Sequence, residues 1–191
     1  MPGRRKALPA RPRRHHDHAT MRRSSASIRH FAVTPPPAHA WAILLVILAL
    51  CTVAGGLAYR QHGPLALLAP LLLTIALLAM RRRSVSLGNG VLEVRAAFYR
   101  KRIALAELDL QRARVVDLAE HTQLQPRLKT NGYAIPGFYA GHFRLRGQPG
   151  KAFCLITDRR RVLWLPLRDG SQLLLSLEQP QALLDALRAA T

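Results

Sequence analysis

A chain of 191 residues carries 29 Lys and Arg against 10 Asp and Glu, a formal charge of +19, yet 49% of it is hydrophobic. Two cysteines with no C-x-x-C or Cys/His ligand spacing argue against a disulfide framework, a structural zinc site and a metal cofactor. Nine of the basic residues precede residue 41 and three more form Arg81-Arg82-Arg83, so much of the excess charge brackets one apolar stretch. That placement is a membrane-topology signal, and it accounts for the charge without a specific nucleic-acid partner.

Residues 1–39 are rich in Arg, Pro, Ala, His and Ser and lack periodicity, which predicts a disordered basic tail. His15, His16 and His18 read as part of a solvated tract. Met21 offers a second start codon, and Pro35-Pro36-Pro37 favours an extended approach to the stretch that follows.

Residues 40–80 predict a transmembrane hairpin with helices at about 40–60 and 64–80. A helix needs about 20 apolar residues to cross ~30 Å of hydrocarbon, a length the first run meets and the second falls short of. Gln61-His62-Gly63-Pro64 is the expected turn, and Pro70 is expected to kink the second helix. Gly55 and Gly56 either allow close helix approach or are simply tolerated. The first run exceeds a signal-peptide h-region, and Leu50 before Cys51 is too large for a lipoprotein box. Basic flanks on both sides and only Arg60 near the turn place both termini in the cytoplasm. Asp, Glu, Lys and Arg are missing from 41–59 and from 65–80, which argues against a transporter or channel.

From Ser84 the period changes to that of strands, giving a domain over 81–191. Short strands are expected at 84–87, 91–95, 103–105, 113–117, 142–146, 152–157, 162–165 and 172–177. Gly88-Asn89-Gly90 and Tyr99–Arg102 read as turns, and 118–141 as a long irregular segment. A final helix with Leu183, Leu184 and Leu187 on one face is expected to be capped by Ser176 or Glu178. Short strands followed by one amphipathic helix suggest a small barrel or sandwich with the helix over an open end.

Thr130-Asn131-Gly132, then Pro136-Gly137-Phe138, then Gly141-His142-Phe143 resemble the core motif of a bacterial pleckstrin-homology (PH-like) domain family. Thr157-Asp158 with the Val162–Pro166 run, and Leu173–Glu178 with the final helix, resemble its later segments. The resemblance covers roughly 84–190. It implies an α+β PH-like fold, a strongly bent seven-stranded β-barrel capped by a C-terminal helix, and no reaction or cofactor. Thr130, Asn131, Gly132, Pro136, Gly137 and Gly141 form the family-motif loop, read either as a packed turn or as the lining of a groove for a peptide or lipid.

Arg100-Lys101-Arg102 with Arg95 are expected to form a basic hairpin tip that rests on anionic lipid or meets a protein partner. Gly88-Asn89-Gly90 carries no basic residue, which argues against a phosphoinositide pocket of the usual PH kind. His121, His142, Ser171, Asp117 and Asp158 stand in no hydrolase or phosphate-loop motif, so an enzyme is not expected. The expectation is a non-enzymatic, multi-pass protein of the cell inner membrane that presents a cytoplasmic PH-like module to protein or lipid. A scaffold or assembly subunit of a membrane complex is the alternative.

Overall fold

The computed structural model describes residues 28–190. Most of the predicted tail, with His15, His16, His18 and Met21, lies outside the described residues.

The last part of that tail is structured, which corrects the predicted boundary at residue 39. Arg29–Phe31 forms strand β1, paired antiparallel with β2 (Arg83–Gly88). The chain then crosses to the other side of the domain. Val33 bridges Leu177, Thr34 N–H donates to the Ser176 carbonyl at 3.2 Å, and Glu178 N–H donates to the Ala32 carbonyl at 3.1 Å. The Thr157 hydroxyl donates to the Thr34 carbonyl at 2.7 Å. Composition hid this, because the segment gains its order from pairing with residues more than fifty positions away.

Helix α1 covers Ala38–His62, a 3-10 stretch covers Gly63–Leu67, and helix α2 covers Leu68–Met80. By length and composition the helical run 38–80 is able to cross a membrane. Pro70 falls in the first turn of α2, where a missing N–H costs least. The two limbs pack side by side. Gly55 faces the Ala66 carbonyl so closely that a Cβ there would sit 2.7 Å from the oxygen. Pro70 cannot donate to that carbonyl in the usual helical way, so the bare Gly55 backbone meets a helix acceptor left short of its partner. The Thr52 and Thr74 hydroxyls donate to the Leu48 and Pro70 carbonyls at 2.7 and 2.8 Å, which leaves neither hydroxyl unpaired in an apolar setting.

Strands β1, β2, β3 (Val91–Ala96) and β4 (Tyr99–Ala104) form an antiparallel four-stranded sheet in chain order. The second sheet holds β5 (Arg114–Val116), β6 (Pro126–Ile135), β7 (Phe138–Leu145), β8 (Ala152–Ile156), β9 (Val162–Pro166) and β10 (Gln172–Ser176) in the order β5-β9-β10-β8-β7-β6. Among the described residues only β10 and β8 pair parallel. The expected closed seven-stranded barrel is therefore replaced by two separate sheets that sandwich a core.

Strands β8, β9 and β10 are buried at every position because both faces are covered. Phe153, Leu155, Leu163, Leu165, Leu173 and Leu175 face the main core with the four-stranded sheet and helix α3 (Pro180–Ala189). Cys154, Ile156, Val162, Trp164 and Leu174 face a second core closed by Leu118 and Leu124. Leu44, Leu77 and Met80 join the main core, so the base of the helical hairpin is packed into the domain.

The stretch read as irregular, 118–141, contains β6 and most of the long β6–β7 hairpin. Two register shifts in β6 break the alternation that a strand reading depends on. The predicted α3 cap is corrected as well. Pro180 opens the helix, Gln179 takes the cap position, and no side chain caps it. The Ser176 hydroxyl instead donates to the Asp158 carbonyl at 2.7 Å, pinning the β8–β9 turn.

Candidate functional site

The family-motif residues lie on β6 and β7 and in the turn between them. Gly132 and Gly141 are direct partners across the ladder, where a Cβ on Gly132 would run into the Ala140 carbonyl. The Thr130 hydroxyl donates to the His142 carbonyl at 2.9 Å. Asn131 accepts from the Tyr99 hydroxyl at 2.7 Å, which ties this hairpin to β4 in the other sheet. Pro136-Gly137 forms the turn itself, with Gly137 at φ 81°. A Cβ on Gly137 would come within 2.6 Å of the Pro37 ring, so the turn is pressed against the entry to α1. The motif thus joins the two sheets and seats the entry to α1.

The basic residues separate into two sets, which corrects the expected single tip. Arg100, Lys101 and Arg102 stand within β4, and the actual turn is Ala97-Phe98. Alternation along β4 sends Arg100 and Arg102 to the outer face beside Arg95. There Glu93 binds all three: Arg95 at 2.6 Å, Arg100 at 2.7 Å and Arg102 at 3.0 Å. Hydrogen bonds from Arg100 and then Arg95 hold the Glu93 carboxyl at about 2. Lys101 points the other way, to a cavity of about 310 Å³ that it lines with His142, Lys151, Asp169 and Gln172. Burial, then Lys101 and Lys151, lowers the His142 imidazole below its ordinary value.

A richer basic site forms where α2 runs into β2. The Arg82 carbonyl accepts from Ala97 N–H at 2.8 Å, which draws the β3–β4 turn onto the helix end. Ala97 adopts φ 57° to make that turn, and Phe98 beside it is 58% exposed. Arg81, Arg82 and Arg83 line a cavity of about 530 Å³ with Arg95, Phe98, Tyr99 and Arg100. Among the described residues Arg81, Arg82 and Arg83 make no ion pair. Arg83 Nη1 is buried with no hydrogen-bond partner, and burial lowers the pKa of its guanidinium. Phe98 packs against Tyr133 at 6.2 Å and Tyr99 against both Tyr133 and His142 at 6.4 and 6.1 Å, so an aromatic row links this site to the motif hairpin.

Sequence reasoning counted Arg81–Arg83 only as topology charge and passed over Phe98. Their shared signal was position: the triplet directly follows the apolar run, and Phe98 sits one hairpin away from it.

Two sheets around a core, a C-terminal helix packed onto them and an open basic rim define the class of small β-sandwich binding modules. A family profile described as "Bacterial PH domain" matches residues 83–191, more than half of the chain, and the protein belongs to that family. Neither a curated protein nor a solved structure gives a significant match.

Proposed function

We propose that this protein is an integral membrane protein whose two helices cross the cell inner membrane and hold a non-enzymatic PH-like module against the anionic cytoplasmic surface. The observation that carries this reading is the apolar exposure of the helical run. Leu45, Val46, Leu50, Val53, Leu57, Leu65, Leu71, Leu72 and Leu78 are exposed, and only 17% of the most apolar window is buried. A core helix of a water-soluble domain would be mostly covered.

Clear of Leu44 and Leu77, which belong to the main core, the part of α1 that leaves the domain extends ~27 Å and the return limb, with its 3-10 stretch, ~24 Å. Both are a few Å short of the ~30 Å hydrocarbon core, a mismatch that a bilayer absorbs by local thinning. The Arg81–Arg83 site and exposed Phe98 then lie at head-group level, with both termini in the cytoplasm.

Two measurements test the reading. The full chain is expected to resist alkaline carbonate extraction, and tags at either terminus should be protected from externally added protease in spheroplasts. Extraction into the supernatant, or cleavage of both tags from outside, refutes it. Cross-linking of the intact protein to one stoichiometric protein partner, with no preference for anionic lipid, supports the scaffold reading instead.

A further inference from the structure

We infer that the cavity between the α2–β2 junction and the β3–β4 turn is a discrete binding site for the phosphate of an anionic glycerophospholipid. The inference rests on the membrane reading above and adds a ligand and a residue that selects it.

The donors come first. Arg81, Arg82 and Arg83 line one cavity with Arg95 and Arg100, and the carboxylate that binds the last two, Glu93, is shared between them and Arg102. That leaves the triplet uncompensated. Arg83 Nη1 is also cut off from water with no acceptor, a costly state for a charged donor. Rotation of the long, partly exposed Arg83 side chain into the cavity it lines brings that nitrogen to a phosphate oxygen as acceptor, and the planar guanidinium fork suits a phosphate better than an ammonium does.

The walls come second. Phe98 is exposed at the rim and Tyr99 lines the side, which gives an apolar edge for glycerol and the first acyl carbons next to the cationic floor. A soluble phosphate would have no use for that edge. The site lies at the opposite end of the β2–β4 meander from Gly88-Asn89-Gly90, where a PH-type inositol phosphate pocket would be sought.

The test uses the full chain in nanodiscs of zwitterionic lipid doped with phosphatidylglycerol, with retained lipid counted by native mass spectrometry after gentle delipidation. Wild-type protein should retain phosphatidylglycerol over phosphatidylcholine by about tenfold or more, the scale of a charge-assisted hydrogen bond to a buried donor. Both Arg83→Gln and Arg83→Lys should abolish that preference, since Lys keeps the charge and loses the fork. Arg102→Gln, on the outer sheet face with Arg95 and Arg100 and outside the cavity, should lower it by no more than about fivefold.

Melting in detergent guards against misfolding. Delipidated Arg83→Gln should melt no lower than wild type, because a buried Nη1 donor without an acceptor has been removed. Added phosphatidylglycerol should raise the melting temperature of wild type only. Full rescue by Lys, or equal losses from Arg83→Gln and Arg102→Gln, overturns the discrete site in favour of diffuse attraction. Equal stabilisation by inorganic phosphate in detergent overturns the lipid assignment. Failure of carbonate resistance strikes the membrane reading itself, so the two failures are distinguishable.

Discussion

Glu93 sets the free charge of the outer sheet face. It takes up three guanidinium groups with one carboxylate, and Arg100 and Arg95 hold it at about 2. A depressed carboxyl contributes stability that is present above its unfolded value of ~4.3 and is lost as pH falls toward about 2. The fan should therefore survive intact between pH 7 and pH 5. Glu93→Gln removes one negative charge, and the full chain in nanodiscs should then retain phosphatidylglycerol about fivefold more strongly at low salt, counted by native mass spectrometry. His142 behaves in the opposite chemical sense with the same direction in pH. Its imidazole is disfavoured as a cation by burial and by Lys101 and Lys151, with Asp169 across the same cavity. The unfolded chain takes up that proton first, near pH 6.5, so stability falls as pH drops below that value. His142→Gln should flatten the decline of melting temperature between pH 7 and 5.5, and an unchanged decline would show that another group controls it.

The decisive element is the segment before α1. β1 covers the edge of β2, and Ala32–Thr34 satisfies groups on Ser176, Glu178 and Thr157. An uncovered β2 would present unpaired backbone groups, and Thr157 would lose its acceptor. A soluble version with 38–80 replaced by a short Gly/Ser linker, retaining 28–37, should therefore melt above residues 83–190 alone. The expected difference is at least about 1 kcal/mol, or roughly 4–8 °C for a domain of this size, read by circular dichroism. Equal melting temperatures would mean that the segment is a passenger. The matched family region thus starts more than fifty residues after the structural domain does.

For the whole molecule, the hairpin and the domain are one packed object at their junction. Leu44, Leu77 and Met80 enter the sandwich core, Gly137 presses on Pro37, and Arg82 binds the β3–β4 turn. Both limbs leave the domain side by side, so a span that fails to insert should drag the module away from the surface. Leu72→Arg places a cation on an exposed position in the middle of the return limb. A central Arg costs about 2.5–3.5 kcal/mol on insertion scales, so the variant should lose carbonate resistance or be degraded. Normal fractionation of Leu72→Arg would count against α2 as a span.

The residues alone determined whatever depends on local periodicity. The apolar run, its basic flanks, strands such as Val91–Val94 and Val162–Leu165, and the Leu183–Leu184–Leu187 face were legible because neighbours in sequence set them. The family motif was legible too, as a pattern whose purpose was not. Tertiary structure alone decided that β1 exists, that 118–141 holds a bulged hairpin, that the sheets stay separate, and that Lys101 faces away from Arg100 and Arg102. It alone brought Arg83 and Phe98 to one cavity. The physical reason is common to all of these: a strand edge, a bulge or a charge cluster takes its meaning from partners far along the chain, and no local window contains both halves of the contact.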